Sequence, residues 1–251
     1  MLFKAFGGGF TPIDYIELVT CRDGTDVRVF YESGSYGTPP SWWRVEINGQ
    51  TSDQRPERLS FKAGDVIKVY HGGSGGSFFP SFEDYFSEIR GALPIHKDIS
   101  YSSFIRRCWN LKTVPSTLLF NMQVVKGFAC GRLFEESGVE NIPKDIFLPL
   151  GKRTYSFNYT FSLCSNLKYL HPDTFAHFEH IDDMNYTFEK TALQNVTLRL
   201  NAKTFDTYDN EIGPIAPGVA DGALKIIVKR GTAFAAGVKN STNSNITIVE
   251  E

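Results

Sequence analysis

Apolar and polar residues alternate along residues 15–70, which is the pattern of β-strands that bury one face. The alternation predicts short strands at Ile16–Val19, Val27–Tyr31, Trp43–Ile47, Leu59–Phe61 and Val66–Tyr70. Turn-forming pairs such as Asp23-Gly24 and Asn48-Gly49 separate these apolar runs. We therefore expect residues 15–71 to form a small all-β domain, an Ig-like sandwich.

A Gly/Ser-rich stretch over residues 72–80 follows the predicted strands. Glycine removes side-chain restraint and serine keeps a segment solvated, so this composition is typical of a flexible linker. A glycine-rich run can also cradle phosphate, but the Gly-Lys-Ser/Thr of a P-loop does not occur in this stretch. We place a domain boundary at this linker and assign residues 1–14 to an N-terminal arm.

Beyond the linker the chain repeats itself. An apolar pair recurs as Leu111/Val114, Val139/Ile142, Leu167/Leu170 and Leu193/Val196. The first members of these pairs are 28, 28 and 26 residues apart (139 − 111, 167 − 139, 193 − 167). A phenylalanine precedes each pair, at Phe104, Phe134, Phe161 and Phe188. A near-constant period of this length is the signature of a stacked repeat architecture.

Each copy is interpreted as a short strand, a turn fixed by proline, a brief helical turn and a return segment that carries the phenylalanine. One copy cannot bury its apolar face alone, whereas stacked copies share a continuous core. We therefore predict an α/β repeat fold, a short leucine-rich-repeat-like solenoid over residues 81–198. Its parallel sheet would carry an inward ladder of Leu111, Val139, Leu167 and Leu193.

The repeated pattern Phe-x-x-Cys-x-x-Leu-x-x-Val/Ile-Pro-x-x-Leu/Ile-Phe resembles the BspA-like leucine-rich repeats of bacterial surface proteins and of many bacteriophage tail-associated proteins. Residues 161–167 match it most clearly, and residues 188–193 are similar to a shorter form of the same repeat. The resemblance covers about residues 86–198 and departs from the pattern at Ser137, which replaces the cysteine. It implies that residues 199–251 form a C-terminal cap.

Composition narrows the classes of function. The formal net charge of −2 and a pI near 6.2 provide no basic surface of the kind that nucleic-acid binding requires. The N-terminus shows no apolar region of a secretory signal, and no stretch approaches the roughly 20 apolar residues of a membrane span. We expect synthesis in a cytoplasm, no membrane insertion and no nucleic-acid partner.

The repeat explains the positions of the cysteines and of the glycosylation sequons better than reactive thiols or attached glycans do. Cys108 and Cys164 hold the same repeat position, and none of the four cysteines has C-x-x-C spacing, so we expect reduced thiols packed as small apolar groups. The sequons at Asn158 and Asn185 are also copies of one position. Turn geometry therefore accounts for them better than glycosylation.

The densest group of possible metal ligands contains His171, His177 and His180, followed by Asp182 and Asp183. His177 and His180 would share a face of a helix. No Cys or Glu completes a recognised ligand spacing, so a solvated connector helix is the favoured interpretation. We predict no metal and no cofactor.

Catalysis and binding make different demands on side chains. Glu135-Glu136 and Asp182-Asp183 are adjacent in sequence and would diverge on a helix, so neither is a catalytic carboxylate pair, and we predict a non-enzyme.

The solvent-facing strand positions of the repeat are instead candidates for contact with a partner. These candidates are Thr113, Asn141, Tyr169 and Asn195, together with Trp43, since an exposed tryptophan suits a binding hot spot.

Together with the resemblance, these points lead to a functional hypothesis. The chain is expected to be a virion protein of a tailed bacteriophage, located at the tail tip or a fibre. The N-terminal domain would contact other tail proteins, and the repeats would attach to a protein or glycan on the host surface. Two alternatives are a purely structural assembly or decoration protein and a bacterial surface adhesion protein. Self-association into a homo-oligomer stays open.

Overall fold

A computed structural model describes residues 15–28, 44–52, 58–70, 84–93, 105–124, 130–154, 156–205, 214–240 and 245–251 of the 251-residue chain. The expected N-terminal arm (1–14), the expected linker (72–80) and Trp43 lie outside these ranges. The strands are β1 (Tyr15–Thr20), β2 (Gly24–Arg28), β3 (Arg44–Ile47), β4 (Gln50–Ser52), β5 (Arg58–Phe61), β6 (Val66–Tyr70), β7 (Phe86–Gly91), β8 (Arg153–Thr154), β9 (His180–Ile181), β10 (Val196–Leu200), β11 (Leu224–Val228) and β12 (Thr247–Glu250). The described residues also include the helix α1 (Ala233–Asn240) and two 3-10 segments, Phe120–Val124 and Leu148–Leu150.

The N-terminal strands form an antiparallel sheet in the order β4-β3-β6-β1-β7. Alternate side chains of β1 are buried, and Ile16 and Leu18 lie opposite Val69 and Ile67 of β6. This burial follows from the period of two in the sequence, which places every second residue on the same face of a strand. Each of the five predicted strand positions carries a strand within the described residues.

The expectation of an Ig-like sandwich is nevertheless wrong. Among the described residues, β1, β3, β4, β6 and β7 share one sheet and only β2 and β5 form a second, so these strands do not divide into two facing sheets of similar size. β7 follows the expected linker, yet it pairs with β1 from Ile16 to Thr20. Alternation along the chain predicts which residues form strands, but not which strands become neighbours. The domain boundaries themselves stay a prediction.

Residues 105–200 contain successive turns joined by backbone hydrogen bonds between matching positions of the copies, and we call this region the turn stack. The N–H of Phe134 donates to the carbonyl of Thr160, and the N–H of Phe161 donates to that of Thr187, both at 2.9 Å. The rings of Phe134, Phe161 and Phe188 lie nearly parallel, with centroids 5.3 and 5.8 Å apart. All three are fully buried, so stacking of the copies accounts for the repeated phenylalanine.

The predicted α/β leucine-rich-repeat solenoid is also wrong. In the described residues, the first three strand positions expected to form a continuous parallel sheet carry one isolated bridge, Thr113 to Asn141, and the fourth leads into β10, which pairs with β11 instead of with another copy. The expected helical turns are hydrogen-bonded turns and short 3-10 segments. Pro115 and Pro143 directly follow the first two apolar pairs. Proline has no N–H to donate to a ladder, which is a physical reason for these strands ending at once.

Regular parallel pairing occurs at the C-terminal end. β10 pairs with β11 over five residues, and β11 pairs with β12. β10 contains no proline, and its Val196, Leu198 and Leu200 are buried. Thr232 caps α1 by accepting the N–H of Ala235 at 3.1 Å. The described part of the region expected to be a cap, residues 199–251, therefore contains β11, α1 and β12 and the end of β10, and the three strands form one parallel sheet.

Candidate functional site

His177 is a half-buried residue of the turn stack. Its Nε2–H donates to the carbonyl oxygen of Phe147 at 3.1 Å, and its ring lies 3.9 Å from that of Phe178, centroid to centroid. Burial lowers the pKa of His177 to about 4, so the imidazole is neutral near pH 7. The ring is thus held in a neutral state at the edge of an open groove, which it lines together with Asn201 and Lys203.

The other two histidines of the expected cluster have separate partners. Nδ1 of His171 accepts the N–H of Asp173 at 3.1 Å. His180 bonds to the carboxylate of Asp182 through Nε2, and its Nδ1 lies 2.6 Å from Oγ1 of Thr204. No group of three or more His, Cys, Asp or Glu side chains within the described ranges could hold a metal ion.

The repeated cysteine and asparagine positions have structural roles. The Sγ of Cys164 donates to the carbonyl of Phe134 at 2.9 Å, and burial raises the pKa of this thiol to about 12. Asn158 donates through its side-chain amide to Asp183 at 2.9 Å, and the N–H of Asn185 donates to the same carboxylate at 2.7 Å. The contacts of Cys164 and Asn158 join successive copies, whereas the contact of the Asn185 N–H is local and holds the turn.

The four expected contact residues of the repeat are all exposed, and Tyr169 is 54% exposed. Thr113 and Asn141 are brought together by their parallel bridge. Tyr169 and Asn195 do not join that bridge. None of the four side chains makes a hydrogen bond within the described part of the chain. They are available for contact, but they do not form one compact site.

A more compact site lies beside them. An open groove of about 420 Å³, which we call the Trp109 groove, is lined by Trp109, Glu136, Ser137, Gly138, Leu163, Ser165 and Asn166. These residues belong to three successive copies of the turn. Trp109 is 46% exposed and Leu163 is 39% exposed. With Tyr169 they are the exposed large apolar side chains of the described residues.

The small residues of the middle copy allow the groove to form. Ser137 and Gly138 lie between Trp109 of the preceding copy and Ser165 of the following one. The N–H of Gly138 donates to the carbonyl of Cys108 at 3.1 Å. A Cβ atom at Gly138 would lie 1.8 Å from the carbonyl oxygen of Trp109, far inside van der Waals contact. Only glycine permits this close approach of two backbones.

Leu163 occupies a conformation that leucine disfavours. Its φ is +60°, and the matching positions in the neighbouring copies, Glu136 and Lys190, have φ values of +57° and +49°. For an L-residue other than glycine this left-handed conformation costs about 1–2 kcal/mol. The neighbouring copies place charged side chains at this exposed turn, whereas Leu163 exposes an apolar one. The left-handed conformation is common to these copies, so the exposed apolar side chain is what distinguishes Leu163 from the matching positions.

The charged groups at the edge of the groove are already paired. Nη2 of Arg106 lies 3.1 Å from one carboxylate oxygen of Glu136, and Nε of Arg107 lies 3.0 Å from the other. Partial burial works to raise the pKa of Glu136, but the hydrogen bonds from the two arginines outweigh it, so the pKa lies below its ordinary value. The carboxylate is ionised near pH 7, and the arginines balance its charge.

The Trp109 groove thus offers exposed apolar surface and neutral hydrogen-bonding groups, which suit binding. The sequence predictions missed both Trp109 and Leu163, since each was counted only as a member of a repeated segment. One signal was available for Leu163, because the copies align it with Glu136 and Lys190. Because Leu163 and Trp109 line the same groove, their exposed apolar side chains together favour a surface for contact.

No protein-family profile, curated protein sequence or solved structure matches this chain. No helix within the described ranges is long and apolar enough to cross a bilayer.

Proposed function

We propose that the protein is a non-enzymatic attachment protein that binds its target through the Trp109 groove. The observation that carries the proposal is Leu163, which is apolar and exposed at a turn position where the neighbouring copies have charged residues. Leu163 and the exposed Trp109 line the same groove, and adjacent exposed apolar side chains favour a role in binding. Trp109 is also exposed in this groove, and tryptophan is among the side chains most enriched in binding hot spots.

We further propose that the target lies on a bacterial cell and that the protein belongs to the tail tip or a fibre of a tailed bacteriophage. Support comes from the repeat pattern of residues 161–167, which resembles tail-associated proteins. In this proposal the N-terminal sheet contacts other tail proteins and leaves the Trp109 groove free for the cell surface. Attachment requires a stable exposed surface and no bond-making chemistry.

Two measurements on the intact system test this proposal. Mass spectrometry of purified virions should detect the chain, and immunogold labelling should place it on the tail. The purified full-length chain should bind intact host cells, and Trp109→Ala should weaken binding at least about tenfold. Lys144→Ala, which changes an exposed residue outside the groove, should bind as the wild type does.

Three other outcomes of these measurements would each contradict part of the proposal. Presence in virions without cell binding would replace attachment by an assembly or decoration role. Absence from virions together with detection in the bacterial envelope would indicate a bacterial adhesion protein. Equal binding by the wild type and Trp109→Ala would remove the groove from the attachment surface.

A further inference from the structure

The Trp109 groove contains polar groups that the protein itself does not satisfy. The hydroxyl of Ser165 and the side-chain amide of Asn166 make no hydrogen bond within the described residues, and the indole N–H of Trp109 makes none either. All three residues line the groove. A hydroxyl and an amide each both donate and accept, whereas an indole N–H only donates. These groups are open to solvent, so a ligand that covers them without loss of hydrogen bonding must offer both donors and acceptors.

Charge sets a second condition on the ligand. Glu136 is held by Arg106 and Arg107, and Glu135 is paired with Arg106 at 2.7 Å and with Arg132 at 2.8 Å. A cationic ligand would have to compete with arginines for these carboxylates, and an anionic ligand would have to displace the carboxylates. The paired charges therefore favour a neutral ligand.

Exposed apolar surface sets a third condition. Trp109 and Leu163 are each more than a third exposed at the groove. A purely apolar protein side chain would cover them but would leave the Ser165 hydroxyl and the Asn166 amide without partners, at a cost of about 1–3 kcal/mol for each buried group. A neutral sugar ring meets all three conditions, because its C–H face is apolar and each hydroxyl on its edge both donates and accepts.

We propose that the Trp109 groove binds a neutral saccharide unit of a cell-surface glycan. This inference rests on the proposed attachment function and names the chemistry of its target. Trp109 and Leu163 contact the C–H face of the sugar, while Asn166 and Ser165 hydrogen-bond to its hydroxyls.

Chemical treatment of host cells separates this inference from the attachment function itself. Periodate cleaves the vicinal diols of sugars, whereas proteinase K removes surface protein. The full-length chain should bind periodate-treated cells at least about tenfold more weakly than untreated cells and should bind proteinase-treated cells unchanged. Binding that survives periodate and is lost with proteinase K would overturn the saccharide but leave attachment standing. No binding to untreated cells would instead refute the attachment function.

A direct probe covers the case in which both treatments abolish binding, as they would for a glycoprotein. The neutral oligosaccharide fraction released from host envelopes should compete for cell binding and shift the indole N–H resonance of Trp109, assigned by its loss in Trp109→Phe. Asn166→Ala should lower the affinity for this fraction at least about tenfold, whereas Gln194→Ala, an exposed amide outside the groove, should not. Absence of both competition and the resonance shift would overturn the proposal.

Discussion

At the scale of single residues, Gly138 determines whether two copies of the turn can approach each other. A methyl group at this position would lie 1.8 Å from the carbonyl oxygen of Trp109. We expect Gly138→Ala to lower the free energy of unfolding by about 3 kcal/mol or more, because backbone rather than a flexible side chain must move. Urea denaturation followed by circular dichroism measures this change.

Gly64 provides a control for that substitution. It lies in the turn that the N–H of Asp65 closes by donating to the carbonyl of Lys62, it has a φ of +90°, and a Cβ atom there would have no neighbour within 4 Å. Gly64→Ala should therefore cost only the conformational strain, about 1–2 kcal/mol. Equal losses at the two positions would show that close backbone approach is not what requires glycine at Gly138.

His177 makes stability depend on pH. Its folded pKa is about 4, below the ordinary value of 6.5, because the ring is buried. Between these values the unfolded chain binds a proton that the folded chain does not, so this contribution is complete above pH 6.5 and is lost as the pH falls towards 4. We expect the free energy of unfolding to decrease from pH 7 to pH 5, and less so in His177→Gln.

Proton NMR checks the assignment of this pH dependence. The Cε1–H resonance of His177 should not titrate between pH 7 and pH 5.5 in the folded protein. A midpoint near 6.5 for His177 would show that the ring is not buried as described.

At the scale of elements, the parallel phenylalanine rings hold the copies of the turn together. Phe161 lies between Phe134 and Phe188 and is fully buried. We expect Phe161→Ala to destabilise the protein by about 3–5 kcal/mol, the usual cost of removing a buried ring. Tyr169→Ala, which removes an exposed ring nearby, should change stability by less than about 0.5 kcal/mol. A loss below about 1 kcal/mol for Phe161→Ala would contradict the stacked core.

The same elements indicate how far sequence reasoning reaches. Alternation in Ile16–Val19 and Val66–Tyr70 is enough to locate β1 and β6, because burial on one face forces a period of two. The stacking of residues 134, 161 and 188 follows from their spacing. The spacing does not reveal that Pro115 and Pro143 interrupt the expected parallel sheet, nor that β7 pairs with β1 across the expected linker. The prolines act locally through their missing N–H, whereas the pairing of β7 depends on a partner that lies far away in the sequence.

At the scale of the whole molecule, the buried apolar residues form one continuous cluster that extends from β1 to α1. Most large apolar side chains of the described residues are covered by this core or packed against it. The exposed ones are Trp109, Leu163 and Tyr169, and two of them line one groove. The sequence predicted Thr113, Asn141, Tyr169 and Asn195 from their strand positions, and all four are exposed. It could not locate the Trp109 groove, because that groove depends on three copies of the turn meeting in space.

A pair of glycine substitutions tests most directly whether the Trp109 groove binds the cell surface. Leu163→Gly removes the apolar side chain and relieves the left-handed strain, so stability should change by less than about 1 kcal/mol, the two effects opposing each other. Lys190→Gly makes the same backbone change at the matching turn, outside the groove. In a cell-binding titration with purified full-length chains, we expect Leu163→Gly to weaken binding at least about tenfold and Lys190→Gly to bind as the wild type does. Equal affinities for Leu163→Gly and the wild type, with both proteins folded, would contradict the groove as the attachment site.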